Sequence, residues 1–377
     1  MTRLHRYLFS EVLLAALLAI ALFVFIILAL NALRDLFGLL AAGRVTVPVF
    51  FRLILLSVPY AVSYALPLGL LTGIMIAFGR LSSNHEWTAM RSSGLSLYYL
   101  SAPVFALAGL GVLLSLAFNF YYTPLARAQY DQIREQVIRE NPLNYLQPRL
   151  FIKEFPGFVI YIGSRDGTEL QDFWIWQLNA DHEVELFVRA EEGNLRYEEE
   201  ERALILTLFN GTGEQRDADD PENLKDPGMP TLFFEELPIR LSLDRILGRM
   251  NPQIRIKRLH ATQLFQQWNR VRGTDPGDEG FPLRIRLQTQ IHKNVATAFS
   301  ILSLAMVAIP LAIKAGRKET YANFALAFSL ALFFNFLMVM ASWVEGTPTW
   351  RPDLLLWIPN LAFQGVGLIL LGAANNR

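Results

Sequence analysis

The chain has 377 residues, of which 53% are hydrophobic and 18% are charged, and its mean hydropathy of +0.29 is high for a soluble protein. Its 34 basic residues are balanced by 34 acidic ones, so no overall field favours nucleic acid as a partner. Because the sequence contains no cysteine, disulfides, thiolate metal sites and cysteine nucleophiles are excluded.

Six stretches without a charged residue decide the class of protein. A helix of ~20 residues crosses the ~30 Å hydrocarbon core of a bilayer, and each stretch reaches that length. They are residues 12–30, 53–79, 95–126, 294–313, 320–344 and 354–376. We therefore predict six transmembrane helices. The apolar part of the first is longer than the ~7–15 residues of a cleaved signal peptide, so we expect it to be retained.

Basic residues in the short connections predict the orientation of these helices. One side carries Arg3, Arg6, Arg80, Arg91, Lys314, Arg317 and Lys318. The other side carries Arg34, Arg44, Arg52 and Arg351. The first set is the larger, so we expect both termini in the cytoplasm and the long segment between the third and fourth helices outside it.

A polar connection, LSSNHEWTAMRSSGLS (81–96), follows the second apolar stretch. It begins like the zinc-protease pattern His-Glu-x-x-His, but Ala89 stands where the second histidine would be, so a zinc protease is excluded. Ser83 and Glu86 fit a capping box, and Gly94 fits a C-terminal stop. We predict a short amphipathic helix near 82–94 at the cytoplasmic membrane edge.

Two interpretations of this helix are open. Trp87 and Met90 share one face with Arg91 nearby, so the tryptophan could simply anchor the helix at the interface while Glu86 caps it. Alternatively, the helix is a cytoplasmic projection that docks on an ATPase and transmits its closure. In the spans themselves, Gly69 and Gly73 would allow a close helix contact, although such matches are common.

The segment from about 127 to 286 has a different composition. After a polar helical stretch, it contains runs rich in β-branched and aromatic residues, separated by RDG, NAD, EEG and NGTG turns. The predicted strands are 158–163, 172–178, 183–188, 194–198, 203–209 and 231–243. We predict an inserted all-β domain (a sandwich, barrel or jelly roll) followed by an amphipathic helix at 261–273. Its interior is either a solid core or a binding site for an amphipathic ligand.

Several catalytic patterns are missing from the sequence. Neither a phosphate-binding P-loop nor Gly-x-Ser-x-Gly occurs, and the five histidines are scattered. We therefore predict no enzymatic activity, no metal and no cofactor. If the chain is a transporter, its energy comes from a separate ATPase subunit.

Over nearly its whole length the chain resembles the lipopolysaccharide-export permease family, LptF/LptG. The most specific piece is HEWTAMRSSGLS, similar to the family pattern of an acid, an apolar residue, Met, two small residues, Gly and Leu or Phe. TPLARAQYDQIREQVIRENP and FPGFVIYIGSRDG resemble the LptF branch more than LptG. The implied domains are membrane helices 1–3 with the coupling helix (1–126), a periplasmic β-jellyroll (127–286) and membrane helices 4–6 (287–377).

The resemblance implies partners in the bacterial inner membrane and periplasm. They are a homologous second permease (LptG-like), a cytoplasmic ATPase dimer (LptB-like), a periplasmic bridge protein (LptC/LptA-like) and lipopolysaccharide. Glu86, with Trp87, Met90 and Arg91, would form the ATPase-coupling site.

The resemblance also suggests where lipid passes. The first and fifth spans would form the gate. The family's basic residues near it are not matched position by position in this sequence, and Asp35 could pair with Arg34. Arg34 is a candidate ligand for a lipid phosphate, with a simple interface anchor as the alternative, and Arg52 is a weaker candidate. In the β-domain the lipid-contact candidates are Ile160, Ile162, Trp174, Trp176 and Phe187.

A rival of another class is a membrane-anchored periplasmic sensor or scaffold without transport activity. A lipoprotein-release permease is disfavoured because that architecture usually has four spans.

Overall fold

The protein is described from a computed structural model. The structure describes residues 3–41, 45–140, 148–149, 151–153, 155, 157–166, 169–179, 183–198, 203–215, 231–242, 256–275, 278, 280–315, 320–343 and 351–375.

Helices precede and follow a β-rich insertion. They are α1 (Arg3–Asn31), α2 (Phe37–Ala41), α3 (Val47–Ser83), α4 (Glu86–Ser92), α5 (Leu97–Ala117), α6 (Thr123–Glu140), α7 (Ala261–Val271), α8 (Phe281–Ala315), α9 (Thr320–Trp343), α10 (Pro352–Leu355) and α11 (Ile358–Asn375). Single π-helical turns follow α1 (Ala32–Leu36) and α5 (Phe118–Tyr122).

Within the described residues, six helical segments are long and apolar enough to cross a membrane, which agrees with the predicted number. We call them spans 1 to 6; they are built on α1, α3, α5, α8, α9 and α11 in that order.

The chain divides into two compact units. The first comprises Met1–Ala32, Ile54–Ala128 and Ile256–Arg377, and it contains the spans. The second comprises Leu33–Leu53 and Gln129–Arg255, and it contains the sheet. The connection after span 1 therefore belongs with the sheet, a grouping of distant segments that the sequence did not indicate.

Spans 1 and 2 touch backbone to backbone. A Cβ added to Gly73 would lie 2.5 Å from the backbone N and Cα of Ala16, and one added to Gly69 would lie 2.7 Å from the backbone N of Ile20. Only glycine leaves room for so close an approach, as expected of small residues at helix interfaces in membranes. The predicted Gly-x-x-x-Gly contact is confirmed, and it joins two spans of the same chain.

Span 4 packs against spans 3 and 6, and the contact with span 6 is polar at its centre. The fully buried Asn360 donates from Nδ2 to the carbonyl of Ala296 (2.9 Å) and accepts at Oδ1 from the Ser303 hydroxyl (2.8 Å). Gln364 donates to the same hydroxyl (3.1 Å). Because hydrocarbon offers no water to replace these partners, the network fixes how the two helices face each other.

The insertion forms one antiparallel sheet of six strands in sequence order, which confirms the inserted all-β domain. The strands are β1 (Phe151–Ile152), β2 (Phe158–Asp166), β3 (Glu169–Leu178), β4 (Val184–Glu198), β5 (Ala203–Gln215) and β6 (Thr231–Ser242). The prediction of two strands at 183–188 and 194–198 was wrong, because both lie in the single strand β4.

One row of residues across the sheet, which includes Asp172 and Asn210, has an irregular backbone, and we call this row the bend. Both have left-handed backbones, with φ of 58° and 51°, which Asp and Asn tolerate better than most residues. At this row the alternation of buried and exposed residues shifts by one position. On β4, even-numbered residues such as Ala190 are buried before the row, and odd-numbered residues such as Leu195 are buried after it. The EEG and NGTG segments, predicted as turns, lie at this bend inside β4 and β5.

Glycine is required next to the bend. A Cβ on Gly211 would lie 2.2 Å from the ring of Phe234 and 2.6 Å from the carbonyl oxygen of Arg189. The glycine that signalled a turn in the sequence therefore makes room for an aromatic ring on the neighbouring strand.

Candidate functional site

The short helix α4 follows span 2 after a reversal at His85. His85 has a left-handed backbone (φ 62°) and makes no capping bond with its side chain. The capping box predicted from Ser83 and Glu86 is wrong, because Ser83 is the last residue of α3 and its hydroxyl donates to the Arg80 carbonyl (2.9 Å). Glu86 is instead the first residue of α4, where its carboxylate interacts favourably with the helix dipole.

The end of α4 agrees with the prediction. Gly94 has a φ of 79°, a conformation that glycine adopts without strain, and its N–H donates to the Arg91 carbonyl (3.0 Å).

Side chains of α4 fix it to the ends of two spans. Trp87 is buried, and its ring centroid lies 5.7 Å from that of Phe78 in span 2. The Arg91 guanidinium donates to the Leu95 carbonyl (3.1 Å) and to the Asn375 carbonyl at the end of span 6 (2.8 Å). Both predicted site residues therefore point into the protein and hold the helix in place.

Glu86 is bound on both carboxylate oxygens. Oε2 accepts from the Tyr7 hydroxyl in span 1 (2.8 Å), and Oε1 accepts from Nδ2 of Asn84 (3.3 Å). The side chain of Glu86 is half-buried. The predicted coupling acid thus connects α4 to the beginning of span 1, a contact across 79 positions that no local pattern indicated.

The remaining surface of α4 is open. Thr88, Ala89 and Ser92 are exposed, whereas Met90 is half-buried against the core of the spans. Small side chains on a rigidly held helix form a low, regular surface that a groove on another protein can enclose.

An apolar groove of about 330 Å³ runs along span 1. Span 1 contributes Leu14, Leu18 and Leu22, span 2 contributes Ile76, and span 5 contributes Phe324. At one end of the groove, Arg80 and Glu11 both belong to the lining and form an ion pair with each other. A groove with alkyl walls can hold an acyl chain, and spans 1 and 5 are the two predicted for the gate.

The two predicted phosphate ligands lie in the second unit. Arg34 is exposed on the π-helical turn after α1, and Arg52 is exposed near the beginning of α3.

The five predicted lipid contacts of the β-domain lie on opposite faces of the sheet. Ile160 and Ile162 are fully buried on the core face, which is apolar across the strands. Trp174, Trp176 and Phe187 lie on the other face and are half-buried. The register places Ile160 opposite Ile175, one residue away from the pair of Val159 and Trp176, so the two sets alternate.

The aromatic face forms a continuous cluster. The Trp176 ring lies 5.3 Å from that of Phe187 and 5.8 Å from that of Phe151, measured between centroids. Trp174 joins the cluster and carries the Arg189 guanidinium 5.3 Å above its ring. Trp174 and Phe187 lie outside the buried core, which is mainly aliphatic and includes Phe155 and Phe173.

Comparison with known proteins agrees with this architecture. A profile described as "Lipopolysaccharide export system permease LptF/LptG" matches residues 6–373. The chain is 22% identical over 370 residues to the lipopolysaccharide export system permease protein LptF of Escherichia coli K12, covering 97% of this chain and 93% of that protein. The LptF protein of Shigella flexneri matches with the same figures. The rival sensor or scaffold is not favoured. The chain belongs to the LptF/LptG family of lipopolysaccharide export permeases.

Proposed function

We propose that this chain is the LptF-type subunit of an ABC transporter that extracts lipopolysaccharide from the inner membrane and passes it into its own β-domain. It pairs with a homologous LptG-like permease, and an LptB-like ATPase dimer supplies the energy. A periplasmic LptC/LptA-like protein receives the lipid. The names of the E. coli and Shigella relatives support this assignment.

Both termini and α4 lie on the cytoplasmic side in this proposal, and the sheet lies in the periplasm. The support is that the short segments containing Arg3, Arg80 and Lys314 together carry more basic residues than those on the other side of the membrane.

The observation that carries the proposal is the way α4 is held. Trp87 and Arg91 fix it to the ends of spans 2 and 6, and Glu86 connects it to span 1, while its outer surface stays exposed. Because this contact lies at the beginning of span 1, an ATPase that moves α4 also moves that end of the span. Span 1 in turn forms a wall of the apolar groove. Nucleotide-driven closure is transmitted to the lipid site by rigid contacts.

The lipid path combines this groove with the core face of the sheet. Acyl chains cannot cross water unshielded, since each exposed methylene costs ~0.8 kcal/mol. In this proposal the acyl chains follow the core face, which is apolar from Ile152 on β1 to Leu241 on β6. In this proposal Arg34 and Arg52 bind lipid phosphates through paired N–H donors.

The coupling role is tested by Glu86→Ala in the purified transporter. We expect the permease to fold but to retain less ATPase, and ATP-driven release of lipopolysaccharide from proteoliposomes to fall. Glu235→Ala, which removes an exposed acid from β6, is the control and should leave both unchanged. Normal assembly and release in the Glu86 variant would contradict the coupling assignment.

The lipid path is tested by photo-crosslinkers at Ile160 and Trp176, on opposite faces of adjacent strands. We expect ATP-dependent lipopolysaccharide adducts from position 160, and more of them than from position 176. Equal yields would place the path elsewhere, and adducts with proteins alone at both positions would favour the scaffold.

A further inference from the structure

A second cavity, away from the groove, lies among spans 2, 3 and 4. Its volume is about 190 Å³, several times the roughly 30 Å³ that one water occupies. Its lining comes from the middle third of α3, the junction of the π-helical turn with α6, the first half of α8 and residues 256–259. All of these belong to the first compact unit.

Three cationic side chains line this cavity: Arg127, Lys257 and Lys293. No carboxylate is among its described lining residues, although the chain as a whole is neutral. A lining that combines three cations with no described carboxylate is electrostatically complementary to a negative group.

The walls position these cations. The Arg127 guanidinium carbon lies 4.9 Å from the centroid of the Tyr60 ring, a cation–π contact that limits its motion. Tyr60 and Tyr64, one helical turn apart, both line the cavity, and their ring centroids lie 4.9 Å apart. Phenolic hydroxyls add neutral donors to the charged ones.

Neutral polar groups complete the wall. The Ser63 hydroxyl is hydrogen-bonded to that of the buried Thr123 (3.1 Å). Asn119 lies in the π-helical turn and donates to the Asn294 carbonyl (3.3 Å), which joins span 3 to span 4. Such turns are frequent at functional sites, because they redirect a side chain that a regular helix would point elsewhere.

We infer that this cavity binds a phosphate-bearing anion, with Arg127, Lys257 and Lys293 as its ligands. The group is a lipid headgroup or a free phosphate, since both present the same oxygens to guanidinium and ammonium donors. Tyr60 lies roughly 35 Å along α3 from α4, so the site is at the opposite membrane surface from the coupling helix. The inference goes beyond the proposed function, because the cavity is formed by spans 2, 3 and 4 rather than by the groove along span 1.

The test uses the full chain in detergent and native mass spectrometry. The probes are phosphatidylglycerol, lipopolysaccharide and inorganic phosphate, and a neutral diacylglycerol serves as the lipid without phosphate. The variants are Arg127→Gln, Lys293→Gln and their combination. The matched control is Arg286→Gln, about two turns from Lys293 on the same helix but outside the lining.

We expect one phosphate-bearing probe to be retained by the unaltered chain and by the control. Binding should weaken roughly tenfold or more in the double variant, because charge-assisted bonds are lost. Arg127→Lys should restore part of the affinity, which a purely structural role would not predict.

The probe that responds identifies the source of the anion. A response to phosphatidylglycerol assigns a membrane phospholipid, a response to lipopolysaccharide assigns the cargo, and a response to inorganic phosphate alone assigns a free ion. Equal retention of every probe by the double variant and the control overturns the inference. If the double variant does not fold, Lys293→Gln against Arg286→Gln gives the same decision.

Discussion

Spans 2 and 4 differ from spans 1 and 5 in what surrounds them. In their most apolar stretches 78% and 67% of residues are buried in spans 2 and 4, against 22% and 17% in spans 1 and 5. Hydropathy does not account for this difference, because spans 4 and 5 have the same mean hydropathy of 2.2 in these stretches. Spans 2 and 4 form the interior of the permease, whereas spans 1 and 5 present leucine and phenylalanine side chains outward.

This difference indicates a division of labour. A span with few contacts inside the chain can move without disrupting the core, and its open side is available to lipid or to a second permease. Span 1 is nevertheless held at two places, by the glycine contact with span 2 and by the bond from Tyr7 to Glu86 of α4. Four substitutions break or sharpen the comparison, from the largest expected effect on stability to the smallest.

Gly73→Leu should have the largest effect. Its side chain would overlap the backbone of Ala16, so spans 1 and 2 must separate, at a cost of about 1–3 kcal/mol or more in the free energy of unfolding. Thermal unfolding in detergent measures it. Gly109→Leu in span 3, where a Cβ meets no atom within 4 Å, should leave the melting temperature nearly unchanged. Equal losses would show that the close contact of spans 1 and 2 contributes nothing specific.

Asn360→Ala should come next. It removes the amide that joins span 6 to span 4 and leaves the Ala296 carbonyl without that donor, for a loss of about 0.6–1.7 kcal/mol. Asn335→Ala is the control, because Asn335 bonds only the Ala331 carbonyl of its own helix among the contacts described for it. A larger loss from Asn335 in the same unfolding assay would reverse our ranking of the interior and exterior spans.

Tyr7→Phe should cost about 0.5–1.5 kcal/mol or less, since only one hydrogen bond to the half-buried Glu86 is lost. Its functional effect should be larger: lipopolysaccharide release per ATP hydrolysed should fall while ATPase binding is kept. Tyr98→Phe, which changes an exposed tyrosine of span 3, is the control. If release per ATP is unchanged, the link between α4 and span 1 does not transmit closure.

Leu18→Cys should have the smallest effect on stability, under about 0.5 kcal/mol, because the side chain is 66% exposed. The natural sequence has no cysteine, so this single thiol can be labelled selectively. We expect a lipophilic maleimide to react with it in the isolated chain and to react less once the second permease is bound. Ile74→Cys, at a fully buried position of span 2, should stay unlabelled in both states. Unchanged labelling of position 18 on assembly would mean that this face contacts lipid alone.

The sequence was sufficient for every feature that depends on composition over a long window. Six spans, the inserted β-domain and the separate helix between spans 2 and 3 follow from uncharged runs, alternating apolar residues and polar connections. The family pattern around Glu86 is also local, so it was visible before the fold. The close contact at Gly69 and Gly73 was suggested by spacing, although only the structure identifies span 1 as its partner.

Features that join distant residues were decided by the tertiary structure. The bond from Tyr7 to Glu86 and that from Arg91 to Asn375 connect segments 79 and 284 positions apart. The cations of the second cavity are likewise contributed by separate segments of the chain.

The errors have one physical cause. The same residue types occur in turns and at irregular positions within strands. Asn210 adopts a left-handed backbone, and Gly211 allows a close contact with an aromatic ring. Whether the strand reverses or continues at such residues depends on its pairing with the neighbouring strands. Similarly, a serine hydroxyl such as that of Ser83 binds whichever backbone group the surrounding helices leave available. Composition therefore determined the spans and the presence of a β-domain. Packing between distant segments determined which faces are open, where the sheet bends and which side chains meet.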